Sequence, residues 1–350
     1  MLGLDGRTAR AVWTVLLIAL AVAVTYLIRR TLLVFVFALL LAYLLSPLVD
    51  LVDRFLAGRF PRNLSLAVVY LALVGVVSMT LVTVGSRIAQ EAASLADRLP
   101  QYLQNPRWFQ ELPIPALLEP YRAAAIESLK SNLEANAQEI LPVLGKAGQR
   151  LLAVFGNLIF VILVPILSFF FLKDSRGIRL SILDQFGERS RGAVEDVLAD
   201  IHLLLAQYMR ALVLLSLVTL VVYWIYLWTT GVPYSLLLAG VAGGLEFIPM
   251  LGPLLAAATI LLVAGFAGYQ HLLWIVVFLV AFRLFQDYVV QPYLLGSGVE
   301  LPPAAVIFGV LAGEQIGGAM GMFLSIPVLA SLRVIYVRFR KARSRRQDGA

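Results

Sequence analysis

Apolar positions in this chain run on for about one membrane thickness at a time, without a regular polar face. Such runs extend from about Ala11 to Ile28, Leu32 to Leu51, Leu64 to Val84, Leu151 to Leu172, Leu203 to Thr229 and His271 to Val290. Roughly 20 apolar residues in a helix cross a hydrocarbon core of about 30 Å, so each run predicts a transmembrane helix. Two further stretches are apolar but broken. The first, from near Tyr234 to about Ala264, contains Gly243, Gly244, Glu246, Pro249, Gly252 and Pro253. Proline removes a backbone donor and clashes with the preceding turn. A glutamate at bilayer depth costs on the order of 3 kcal/mol. Broken backbone at that depth is tolerated only where protein or a water-filled cavity covers it. A discontinuous helix at a transport site is the expectation, with the carbonyls before Pro249 and Pro253 losing their usual partners and free to bind a cation or polar solute.

The second, Leu301 to about Tyr336, is too long for one crossing. It holds a ladder of Gly309, Gly313, Gly317 and Gly321, with Gly318 beside it, interrupted by Glu314 and Gln315. Four-residue spacing puts the ladder on one helical face, where backbones can approach closely. Pro302 to about Gly313 reads as a re-entrant half-helix, and Gly318 onward, through Pro327, as a final span. The fold class is therefore all-α: a polytopic membrane protein of about eight transmembrane helices, with a discontinuous helix, a re-entrant segment and a small helical extramembrane insert.

The insert is the stretch where apolar residues become sparse and periodic. Between Arg87 and Pro142, Ile88, Ala92, Leu95 and Leu99 recur at helical spacing among Glu91, Asp97, Glu127, Glu134 and Glu139, and Pro100, Pro106, Pro113, Pro115 and Pro120 break the middle. Either amphipathic helices on the membrane or on a neighbouring subunit, or a solvated helical insert, fits this pattern. Asp184 to Asp200 reads as an interfacial helix leading into the next span. The resulting division is 1–86, scaffold helices; 87–145, insert; 146–202, the fourth span and the amphipathic helix; 203–340, a transport unit; and 341–350, a basic tail.

Charge fixes orientation rather than changing class. The chain is 61% hydrophobic and 14% charged with a formal net charge of +7. The basic residues flank the apolar runs, at Arg54–Arg62, Lys173–Arg176 and Arg338–Arg346, which places those segments and both termini in the cytoplasm and makes nucleic acid an unneeded partner. Arg29 and Arg30 fall on the other side and can snorkel. The first run is too long for a signal-peptide core and reads as an uncleaved span. A bacterial inner membrane is the expected location.

No enzyme motif is present. There is no Walker A pattern, no Gly-x-Ser-x-Gly elbow, no paired-histidine zinc motif and no cysteine. Neither a cofactor nor a metal site is expected. What stands out is polarity inside the spans. Arg283, Gln286, Asp287 and Gln291 follow helical spacing and are expected to share one face, and Arg283 and Asp287 can neutralise each other. Together with Glu246, Glu314 and Gln315 they come from three segments, and intramembrane ionisable residues usually face a cavity or each other. Broken helices that offer backbone and side-chain ligands near the midplane are the layout of secondary transporters. Glu246 is the candidate coupling residue, because burial disfavours the charged form of a carboxylate. Gly243, Gly244, Pro249, Gly252, Pro253, Pro292, Pro302, Gly313, Gly317, Gly318, Gly321 and Pro327 are the candidate helix breaks and hinges.

At these residues the sequence resembles the AI-2E family of bacterial transporters, the PerM-like permeases. The resemblance rests on Leu39-Leu40-Leu41-Ala42-Tyr43-Leu44-Leu45-Ser46-Pro47, on Gly244-Leu245-Glu246-Phe247-Ile248-Pro249-Met250-Leu251-Gly252-Pro253, on Gln286-Asp287-Tyr288-Val289-Val290-Gln291-Pro292, and on Gly317-Gly318-Ala319-Met320-Gly321 leading to Ile326-Pro327. Asparagine is frequent in the family at the place of Ser46, and Gly296–Glu300 is looser than the family pattern. The resemblance implies an exporter or permease that works without ATP, associated in some members with autoinducer-2 export and in others with sodium/proton exchange. It also implies a homo-oligomer, plausibly a pentamer, with a fixed N-terminal scaffold and a moving C-terminal unit. The expected partners are a small polar solute or cation and the lipid bilayer. The leading function is secondary export of a small polar solute such as autoinducer-2 by an elevator-like movement coupled to protons. The alternatives are a sodium(lithium)/proton antiporter and a non-transporting protein that recruits partners through its insert.

Overall fold

The computed structural model describes residues 6–55, 61–104, 158–295 and 301–347. The remainder of the predicted insert beyond Gln104, the start of the fourth span, the middle of the Arg54–Arg62 loop, Gly296–Glu300 and the last residues of the tail lie outside the described residues. Every element among the described residues is helical. Helix α1 is Gly6–Leu27, α2 Arg29–Phe55 and α3 Arg62–Thr80, which continues through a π-turn at Leu81–Gly85 into α4, Ser86–Gln104. After the undescribed stretch come α5, Leu158–Lys173, α6, Ser175–Leu183, and the long α7, Glu188–Thr229. The interfacial helix and the fifth span expected from sequence are thus one unbroken rod, and the division expected at 202/203 falls inside it. Helices α8, Ser235–Leu245, α9, Leu251–Phe266, and α10, Leu272–Phe285, follow, then a π-turn at Gln286–Val290, α11 at Gln291–Leu295, and α12 at Pro303–Gln347. Among the described residues, five helices are long and apolar enough to cross a membrane, with shorter apolar helices between them. The chain is an all-α polytopic membrane protein.

The N-terminal helices pack around α2. Ala42, Leu45 and Val49 of α2 share a core with Leu66, Val69 and Tyr70 of α3 and with Leu172 of α5. Tyr70 Oη and Ser168 Oγ lie 2.6 Å apart in that core, so the buried hydroxyls satisfy each other. A second core joins this group to the C-terminal half, with Leu40 against Tyr208, Met209 and Leu212 of α7 and Phe323 and Leu324 of α12.

The C-terminal half is built on two antiparallel rods and two hairpins. The Tyr226 hydroxyl donates to the Trp274 carbonyl at 2.8 Å, and Gln286 reaches Thr219, so α10 runs back along α7. Helices α8 and α9 occupy the connection between them. The segment starts beside the C-terminal end of α7 and finishes beside the start of α10, which is the same end. The broken span therefore does not pass through: at residues 246–250 the chain turns back, and α8 and α9 pack on each other as a hairpin. Glycine makes the turn possible, since a Cβ on Gly252 would overlap the Leu245 carbonyl. Proline fits as well: Pro253 lies in the first turn of α9, where no backbone donor is needed.

Helix α12 is a second hairpin. Gly318, at φ 59 and ψ −141, breaks it, and a Cβ on Gly313 or on Gly321 would overlap the other's carbonyl. The glycine ladder read from the sequence thus finds its partner within its own segment. The expected half-helix extends to residue 317, with the returning arm at 319–347. The base of this hairpin lies at the other end of α7: Arg338 Nε meets Asp200 Oδ2 at 2.6 Å. The two hairpins consequently enter from opposite ends, and the Phe247 and Phe323 rings, 5.7 Å apart, bring their tips together.

Candidate functional site

Glu246 is the first residue of the tip of the α8–α9 hairpin. Its Oε1 accepts the Thr219 hydroxyl of α7 at 3.0 Å and the amide of Gln286, at the start of the π-turn after α10, at 3.2 Å. The Gln286 amide also donates to Thr219 Oγ1 at 2.8 Å, which closes a triangle across three helices. Thr219 and Gln286 are each only 1% exposed. One helical turn away, Ser216 donates to the Gly243 carbonyl at 2.7 Å. A Cβ on Gly243 would sit 3.0 Å from the Ser216 carbonyl oxygen, so glycine lets α8 lie close to α7. Thr219 lies ten residues inside the end of α7, about 15 Å along the axis. Polar groups placed this deep are held by one another, as the cost of leaving them unpaired requires.

The backbone of the break closes on itself. The Leu245 carbonyl accepts from Ile248, the Ile248 carbonyl from Gly252 and the Pro249 carbonyl from Leu251. The carbonyls expected to stand free around Pro249 are recaptured by tighter local turns. Met250 carries the cost, at φ 61 and ψ −47, a conformation that strains a residue with a Cβ by about 1–3 kcal/mol. The open ligand at the tip is therefore the carboxylate: Glu246 Oε2 has no hydrogen-bond partner among the described residues.

Glu246 borders a cleft of ≈ 290 Å³ between the hairpins and α7, lined also by Pro249, Arg283, Gln291, Tyr208 and Ile326 among others. Leu212 and Leu215 of α7 add apolar wall. The polar residues of α10, the π-turn and α11 divide into two sets. Arg283 holds Asp287 with two bonds, Nη2 to Oδ1 at 2.9 Å and Nε to Oδ2 at 3.0 Å, and Gln291 donates to the same carboxylate at 2.9 Å. Gln286 faces the other way, into Glu246. The expected common face is split because Gln286 and Asp287 are adjacent and point about 100° apart on a helix. The π-turn at 286–290 leads directly into Pro292, whose missing N–H would otherwise interrupt a regular helix.

Glu314 and Gln315 are not part of this cluster. Both are exposed on the first arm of the second hairpin, and neither forms a hydrogen bond or ion pair among the described residues. They lie in the last turn of the first arm, before the break at Gly318, and do not line the cleft beside Glu246. Gly244 is exposed with open space where a Cβ would be, Gly317 rests on Leu33 of α2, and Pro302 precedes the first arm. Thr219 and Ser216 were missed by the sequence reading. The available signal was two hydroxyls three residues apart in an otherwise apolar run, a pattern shared by many hydroxyls that bond only to their own helix.

Comparison with known proteins assigns the architecture. The model of the AI-2E family transporter matches residues 15–341. "Putative transport protein YrrI" of Bacillus subtilis is 23% identical over 88% of this chain and 86% of its own length. "AI-2 transport protein TqsA" of Escherichia coli is 25% identical over 86% of this chain and 83% of its own. "Putative permease PerM" of Escherichia coli is 24% identical over 85% and 84%.

Proposed function

This chain belongs to the AI-2E transporter family, whose named members are transport proteins and permeases rather than enzymes, and from that premise we propose that it is a secondary-active exporter of a small, hydrogen-bond-donating solute. Autoinducer-2, which the relative TqsA is named for transporting, is the first solute to assay. The single observation that carries the reading is the pair of opposed hairpins meeting at a cleft beside an unpaired carboxylate oxygen. Two re-entrant hairpins from opposite ends give one site two separate routes of access, which is what alternating access requires.

The charges favour a donor. Glu246 and Asp287 carry two negative charges against the one positive charge of Arg283, and that guanidinium is already engaged by Asp287. A neutral solute with several hydroxyls, or a monocation, would find an acceptor in Glu246 Oε2 and apolar contacts on α7. An anion would meet repulsion. Glu246 also offers a place for a coupling proton, because a bound solute and a proton compete for one oxygen.

The α7–α12 unit would move against the α1–α5 scaffold in an elevator-like manner. With α1, α2, α3, α5, α7 and α10 crossing and each hairpin returning to its own side, both termini lie on one side of the membrane. The arginines at Arg54, Arg62, Arg176 and Arg338 support the cytoplasm as that side.

The test is efflux from proteoliposomes under an imposed proton gradient, comparing autoinducer-2 with sodium and lithium. Glu246→Gln is expected to abolish the pH dependence and most of the flux. PH-dependent efflux that survives in Glu246→Gln would remove the coupling role. Cation-driven proton flux with no organic solute moved would instead identify an antiporter.

A further inference from the structure

The amphipathic helix α4 carries a contact that the transport site does not use. Ala92 and Leu95 of α4 are buried in one core with Leu238, Ala239 and Ala242 of α8. Gly240 of α8 has no side chain at this contact, and a Cβ there would come 2.9 Å from Ile88 Cδ1. At the edge of the contact, Glu91 Oε2 accepts the Leu237 backbone N–H at 2.8 Å, across 146 residues of sequence. The Leu236 N–H is the neighbouring donor in the same turn and favours the carboxylate as well.

These two amides belong to the first turn of α8, where backbone donors have no partner within the helix. The residue before the helix, Tyr234, is left-handed at φ 59 and makes no side-chain cap bond. The first hairpin therefore receives its N-terminal cap from a different helix. A carboxylate is well suited to this, because it accepts from amides and complements the positive end of the helix dipole. The nearby hydroxyls on the side toward α3 do not provide a second position. Thr83 donates to the Met79 carbonyl and Ser86 to that of Val82. Arg87 offers only donors.

We propose that Glu91 is a positioning residue, a latch that holds the first hairpin at one register on α4 and opens each time the hairpin shifts along that helix. The inference rests on the moving-unit reading given above, since α4 continues the scaffold helix α3 while α8 begins the hairpin that carries Glu246. It adds a residue far from the cleft that sets how long the hairpin stays in the register described.

The chain has no cysteine, so a single introduced pair reports the register without background. Ile88→Cys with Gly240→Cys is crosslinked by a short thiol reagent in proteoliposomes, with and without a change at Glu91. Glu91→Ala is expected to lower the initial crosslinking rate about fivefold, the scale of losing one helix cap. Glu91→Gln, which keeps a neutral acceptor, should fall between. In uncrosslinked protein with native Ile88 and Gly240, Glu91→Gln is expected to change the maximal transport rate while leaving KM unchanged, because Glu91 does not border the cleft. A purely structural role would lower the melting temperature without this separation. Crosslinking rates that match the parent in both Glu91 variants would overturn the latch, and if Glu91→Ala does not fold, an unchanged rate in Glu91→Gln does so alone. Should crosslinking respond to Glu91 while the crosslinked protein still transports at full rate, Glu91 sets the register but the moving-unit reading falls, and with it the opening of the latch.

Discussion

Gly313 and Gly321 lie backbone against backbone on the two arms of the second hairpin, each occupying the space a Cβ would need beside the other's carbonyl. In a bilayer, packing and close approach hold helices together, because lipid removes most of the hydrophobic gain of association. Gly313→Ala or Gly321→Ala is therefore expected to destabilise the protein by about 1–3 kcal/mol, the usual cost of overpacking. Gly192, with open space around it, is the matched control on a long helix. Melting temperatures of the purified variants in one detergent check this, and equal losses at all three positions would show that the close approach is not limiting.

Thr219 is the hub of the buried triangle. Thr219→Val removes its bonds to Glu246 and Gln286 while keeping the shape of the side chain. A buried partner left unsatisfied costs about 1–3 kcal/mol, so a lower melting temperature and slower efflux are expected together. Thr219→Ser should restore both, since the hydroxyl is what counts. A serine variant no better than valine would place the effect in packing instead.

The Arg283–Asp287 pair should act on selectivity more than on stability. Its side chains are 34% and 38% exposed, and pairs this exposed contribute below about 1 kcal/mol. Asp287→Asn, however, releases the guanidinium beside the cleft and removes one of the two negative charges. Inhibition of efflux by a small added carboxylate is expected to appear in Asp287→Asn and to be weak in the parent protein. Arg283→Lys should show partial loss of solute affinity, because an ammonium cannot reproduce the two-bond geometry. Competition curves against the transported solute measure both.

Some of this protein is dictated by local composition alone. Apolar runs about as long as a bilayer is thick determine a helical membrane protein wherever they occur, because lipid offers no partner for open backbone. The breaks at Glu246–Pro253 and around Gly318 were legible for a similarly local reason: proline and glycine act on the turn that contains them. So was the Arg283–Asp287 pair, which lies within one helix. Even the motifs that carry the family, Glu246 to Pro253 and Gln286 to Pro292, are contiguous in sequence.

What lay beyond the sequence was direction and partnership. A proline shows that a helix stops, but not whether the chain continues across or turns back. At Gly252 the choice was decided by how closely the Leu245 carbonyl approaches, and at Gly313 by Gly321 on the returning arm. Gln286 and Asp287 are neighbours in sequence, yet tertiary packing sends one into Glu246 and leaves the other with Arg283. Thr219, Ser216 and Glu91 carried no local signal specific enough to single them out, because each acts on backbone or side chains distant in the chain. Local rules fix where each helix begins, ends and breaks. Only the packing of one helix on another decides which polar groups share a site, since that depends on distances between segments that sequence spacing does not encode.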